Sequence, residues 1–160
     1  MSGICFEDVT VGQDIPNLVK GPMSTAHLVR WCAAMENWHL IHDWKYATEH
    51  DKLPDVMVNG TWKQNVMIQL LTDWVGESGW LWKINFQFRG MNVPGDLLTA
   101  WGRVAAVEPR GAYGVVRLDI GLRNHKGAEG TPGNATVVLP RRGGPAVPYP
   151  FDPTCLGPTA

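Results

Sequence analysis

Two imidazoles and a side-chain amide lie within the stretch Asn37-Trp38-His39-Leu40-Ile41-His42-Asp43. Imidazole is the side chain that titrates nearest neutral pH, so His42 is a candidate general acid/base and His39 a candidate assistant. Asn37 can orient water or a carbonyl through its amide, but it cannot take a proton from water at neutral pH. A second stretch, Pro54-Asp55-Val56-Met57-Val58-Asn59-Gly60, opens an apolar helical run. A helix N-terminus favours negative charge, so the Gly60 N–H is a candidate donor to a developing oxyanion, with Asn59 shaping the loop. A third stretch, Val93-Pro94-Gly95-Asp96-Leu97, leads into a strand and is read as a wall of the same site.

The elements that must hold these residues follow from periodicity. Ser24 or Thr25 can cap a helix on which Leu28, Trp31, Cys32 and Met35 recur at helical spacing, ending near Glu36. Residues 37 to 41 read as a loop or tight turn, and Asp43 can cap a short helix reaching about His50. The strongest helix runs from Thr61 to Val75, with Trp62, Val66, Met67, Leu70, Leu71, Trp74 and Val75 on one stripe and Gly76 as its stop. The period then changes to two. Strands are expected at about 81–89, 97–107, 113–122 and 135–139, with one short strand before residue 21. Helices first and strands in succession argue an α+β fold, a long helix on an antiparallel sheet. Such a sheet has a long edge, which pairing with a second subunit would cover.

Composition narrows the function. A chain of 160 residues, 44% hydrophobic and 18% charged, is long and apolar enough for one real core. Net charge is −1 with no basic run, which argues against nucleic acid or an anionic membrane as partner. No leader pattern and no long apolar run are read, so a cytoplasmic protein is the expectation. Cys5, Cys32 and Cys155 are odd in number and far apart, so neither a disulfide framework nor a CxxC metal site is expected. Cys32 falls on an apolar helix face and should be buried. The His-x-x-His spacing beside Asp43 fixes no third ligand, so no metal is assigned. His27, His50 and His125 read as surface or capping residues. The eight tryptophans suit a core and a subunit interface.

Taken in order, the three stretches resemble the MaoC-like dehydratase and (R)-specific enoyl-CoA hydratase family, which has the hot-dog fold. The family pattern of an acid, four residues and a His is matched by Asn37 and His42, with amide in place of carboxylate. The loop that ends in a polar residue and Gly is matched by Val56 to Gly60. The aromatic–Arg strand end followed by Pro-Gly-Asp and Leu is matched by Phe88-Arg89 and Pro94-Gly95-Asp96-Leu97. The resemblance covers about residues 5 to 140. It implies a single MaoC-like hot-dog domain over 1–140. The remaining residues, 141–160, are rich in Pro and Gly with little periodicity and read as an extended tail that would order only across a neighbour.

The resemblance also implies a reaction: addition of water across the double bond of a 2-enoyl-CoA thioester, or the reverse. Substrate would be an acyl-CoA, the assembly a homodimer or a heteromer with a related hot-dog subunit, and no cofactor is called for. Asn37 and His42 would be catalytic, His39 assisting, and Asn59 and Gly60 would bind substrate. Arg89, Arg103, Arg141 and Arg142 could contact CoA phosphates. Because Asn37 replaces the family carboxylate, a second reading stands beside this one: a non-catalytic or half-site subunit of a heteromeric hydratase. A hot-dog thioesterase fits less well, since residues 61–72 contain no carboxylate.

Overall fold

The computed structural model describes residues 4–157. Five strands form one antiparallel sheet in the order β1-β3-β4-β5-β2. They are β1 (Leu18–Lys20), β2 (Trp80–Phe86), β3 (Leu98–Arg110), β4 (Tyr113–Asn124) and β5 (Gly133–Pro140). Two α-helices precede the main strands: α1 (Thr25–Met35) and α2 (Gly60–Val75). The α+β hot-dog arrangement expected from the sequence is the one found.

The apolar stripe of α2 explains how the two layers join. Val66, Met67, Leu70, Leu71 and Val75 are buried and share one cluster with Val104, Val116, Leu118, Ile120, Leu122 and Val137 of the sheet. Full burial of each such side chain contributes roughly 1.5–3 kcal/mol, so this contact dominates the fold. The stripe has one exception. Lys63 shares a face with Val66, Met67 and Leu70, and only 3% of it is exposed.

Ser24 caps α1 as expected, its hydroxyl accepting the His27 N–H. After α1 the chain turns through Glu36, which adopts a left-handed conformation at φ 50. Residues 37 to 39 are irregular, and Leu40–His42 form a single 3₁₀ turn. Asp43 caps the following short helix, Oδ1 accepting from the Tyr46 N–H at 2.8 Å. That helix ends in a π turn, Tyr46–His50.

Two strand boundaries differ from the periodicity. β2 ends at Phe86 rather than near residue 89, although Gln87 and Arg89 still donate backbone bonds to Pro132 and Gly130. β3 runs through Pro109 to Arg110, and the turn sits at Gly111, whose φ of +57 suits glycine. The tail also departs from expectation. It folds back on its own chain rather than across a neighbour: Val147 N–H donates to Ser78 O at 2.9 Å, and Phe151 packs against Trp80 and Trp82. Leu156 is buried in a second small cluster with Tyr113, Val115 and Val138. None of the eight tryptophans is fully buried; most are half-buried, and Trp38 and Trp44 are exposed.

Candidate active site

The loop before α2 and the turn after α1 are stitched together. Met57 N–H donates to Ile41 O at 3.2 Å, and the Met57 carbonyl lies 2.8 Å from His42 Nδ1. A carbonyl only accepts, so Nδ1 carries the hydrogen and Nε2 keeps its lone pair. His42 is half-buried, and that burial pushes its imidazole below the ordinary value; the Met57 carbonyl works the other way, and His39 adds to the depression. The ring is therefore neutral, and a base at Nε2, over most of the neutral range.

The same loop delivers Gly60. Three residues after Met57, Gly60 is the first residue of α2, where the backbone N–H has no acceptor within the helix. No other acceptor meets it among the described residues. The Phe88 ring lies over this position, and a Cβ at Gly60 would sit 3.0 Å from it. A side chain at this position would press on the Phe88 ring, which would have to yield by a few tenths of an ångström.

Pro94-Gly95-Asp96 forms the brace behind the loop, with the contacts of a turn. Asp96 Oδ2 accepts from Asn92 Nδ2 at 3.0 Å, and the Asn92 carbonyl accepts the Val58 N–H at 2.8 Å. Gly95, at φ +95, donates to Met23 O. A second brace was not foreseen from the sequence. Lys63 Nζ donates to the Gly90 carbonyl at 2.9 Å, tying α2 to the chain just beyond Phe88. Burial lowers its pKa to about 8, against the opposing pull of Asp96. The signal was present in the sequence, since Lys63 precedes Val66, Met67 and Leu70 by three, four and seven residues.

The five expected site residues do not all meet. His39 and His42 line one cavity of about 230 Å³ together with Cys32, Trp38, Leu40 and Asp43. Their rings stand edge-on, 6.2 Å between centroids. Asn37 is half-buried, does not line that cavity, and its side chain makes no hydrogen bond among the described residues. Asn59 is only 1% exposed and donates its amide to Cys32 Sγ at 3.3 Å, which holds the loop against α1. Arg141 and Arg142 are engaged with Glu7 and Asp8, and Arg103 lies 3.7 Å from Asp14. Arg89 instead lines an open cavity of about 650 Å³ with Gln64, Phe86 and Asn134.

This geometry can be set beside known proteins. Residues 13–95, a stretch that contains the first two motifs and reaches into the third as far as Gly95, match the model of hydroxyacyl-thioester dehydratase type 2. The chain belongs to that family. It is a MaoC-like hot-dog protein, from a family of hydratases and dehydratases. The fold is similar to that of R-hydratase PhaJ1 from Pseudomonas aeruginosa, at 18% identity and a TM-score of 0.75, covering 88% of each chain. It is similar to a MaoC-like dehydratase from Rhodospirillum rubrum, at 19% identity and 0.75, covering 88% of this chain and 99% of that one. It also resembles the ChsH1-ChsH2 complex from Mycobacterium tuberculosis, at 19% and 0.70, covering 81% and 98%. No curated protein matches the sequence significantly. Among the described residues no helix is long and apolar enough to cross a membrane.

Proposed function

We propose that this family member hydrates a 2-enoyl-CoA thioester, or dehydrates the corresponding hydroxyacyl-CoA, with His42 as acid/base. The observation that carries this reading is the Met57 pivot. One residue fixes the His42 tautomer and leads, three residues later, to the free Gly60 N–H. In hydration, water adds to C3 as its proton passes to His42 Nε2. The double-bond electrons move toward the thioester, and the developing oxyanion takes the Gly60 N–H. His42 then returns its proton to C2. A general acid/base of this kind is worth about 10² to 10⁴ in rate, and a good oxyanion donor about 10² to 10³.

Asn37, expected to orient water or thioester, does not line the His42 cavity and is given no contact with either in this scheme; Asn59 acts through the loop it locks to Cys32. The exposed Trp38 and Leu40 line the same cavity as the imidazoles and suit an acyl chain. Arg89, beside the open cavity, is the arginine best placed for a CoA phosphate. β2 is an edge strand, and pairing it with another subunit would complete the sheet. That subunit is a second copy or a related hot-dog chain. The ChsH1-ChsH2 neighbour, itself a complex of two differently named chains, keeps the half-site reading in view.

The test is absorbance loss of the conjugated thioester across enoyl-CoA substrates from short-chain to steroid-sized, with the protein purified alone. Turnover that His42→Ala lowers by about 10² or more, with folding intact, is the expected result. Inertness toward every substrate would transfer the assignment to the partner-subunit reading.

A further inference from the structure

The two imidazoles in the cavity are held in opposite tautomers by the backbone. His42 Nδ1 faces the Met57 carbonyl and must carry hydrogen, leaving Nε2 as an acceptor. His39 caps the next turn: its Nδ1 accepts the Ile41 N–H at 3.3 Å. An accepting Nδ1 places the ring hydrogen on Nε2, so His39 presents a neutral N–H donor. A ring with a free acceptor and a ring with a free donor therefore line the same small cavity, 6.2 Å apart. Asp43 lines the same cavity, with Oδ1 engaged as the cap of the next helix, and as a carboxylate it offers acceptors but no N–H donor. Asn37 does not line the cavity.

Resting on the hydratase reading above, we propose that His39 is the second catalytic group, a neutral hydrogen-bond donor to the oxygen on C3, with His42 the sole proton carrier. In dehydration His42 Nε2 takes the C2 proton, the enolate forms, and the C3–O bond breaks as the same proton passes from His42 to the departing hydroxyl. His39 Nε2–H donates to that oxygen throughout and loses no proton. A neutral imidazole used as a donor is a known catalytic device. It explains how the site works with an amide at position 37: one proton carrier suffices when a fixed donor holds the oxygen.

Three substitutions separate this role from simple capping. The amide of Gln reaches where Nε2 stands, whereas Asn reaches only as far as Nδ1. His39→Ala and His39→Asn should each lower kcat on crotonyl-CoA or octenoyl-CoA by about 10²-fold, while His39→Gln stays within about tenfold of the unaltered protein. Thermal melts should show His39→Asn as stable as the parent, because its side chain still caps Ile41. Full activity in His39→Asn with loss in His39→Gln would assign His39 to capping alone. Full activity in His39→Ala beside an inactive His42→Ala would overturn the His39 role and leave the hydratase reading standing. An unaltered protein inert to every thioester would overturn both. Independently of activity, imidazole proton–nitrogen correlation spectra should show His42 as the Nδ1–H tautomer and His39 as the Nε2–H tautomer. The Nδ1–H form at His39 would refute the proposal.

Discussion

At the residue scale, the site turns on which nitrogen of each imidazole is free. Burial and the Met57 carbonyl act on His42 in opposite directions, and burial wins, so the ring sits below the ordinary 6.5. A base must be neutral to accept, so activity should persist as pH falls past 6.5 and be lost only below it. The profile of kcat/KM against pH reports this directly, since it reads the free enzyme. An acid limb centred at or above 6.5 would contradict the burial argument. His42 and His39 could be picked out from residue type and spacing. Their tautomers could not, because those depend on Met57 and Ile41, and Met57 is fifteen residues away.

At the element scale, α2 carries both the proposed oxyanion donor, the Gly60 N–H, and a buried lysine. Lys63 joins the helix to Gly90, and its pKa of about 8 lies below the 10.5 expected of a free lysine. Between these values the unfolded chain holds a proton that the folded one does not. Stability should therefore rise with pH from about 8 to 10.5, by at most about 3 kcal/mol. Urea titrations at several pH values should show the rise in the parent and its absence in Lys63→Met. Parallel curves for the two proteins would mean that Lys63 finds its way to solvent. The α2 stripe was legible because a long amphipathic helix needs only its own residues to declare a period. The role of Lys63 is not legible in the same way, because a single polar residue on an apolar stripe gives no sign of its partner, here a carbonyl in a loop twenty-seven residues on.

At the scale of the whole molecule, the tail covers one end of the sheet. Phe151 stacks on Trp80 and meets Trp82 edge-on, while Leu156 is buried against Tyr113, Val115 and Val138. Leu156→Ala should lower stability by about 2–5 kcal/mol, the range for emptying a buried leucine site. A melting temperature lower by several degrees, with kcat unchanged, would match that position remote from His42. An unchanged melting temperature would show that the tail contributes little. Pro and Gly content suggested an unanchored segment; aromatic contacts at long range anchor it, and such contacts leave no local period.

The sequence by itself determined the order of elements, the α2 stripe, the alternation of the strands and the identity of the imidazoles and of Gly60. These are encoded locally, in residue type and in periods of 3.6 and 2. Strand ends followed less closely, because β3 and β4 continue as long as each finds the other's backbone. Tertiary structure alone decided that Asn59 turns inward to Cys32, that Asn37 stands outside the cavity, and that Phe88 lies over Gly60. It also decided that one carbonyl, Met57, sets the protonation geometry of the site. Each of these depends on groups far apart in the chain meeting within hydrogen-bond or van der Waals reach, and no window of neighbouring residues contains that information.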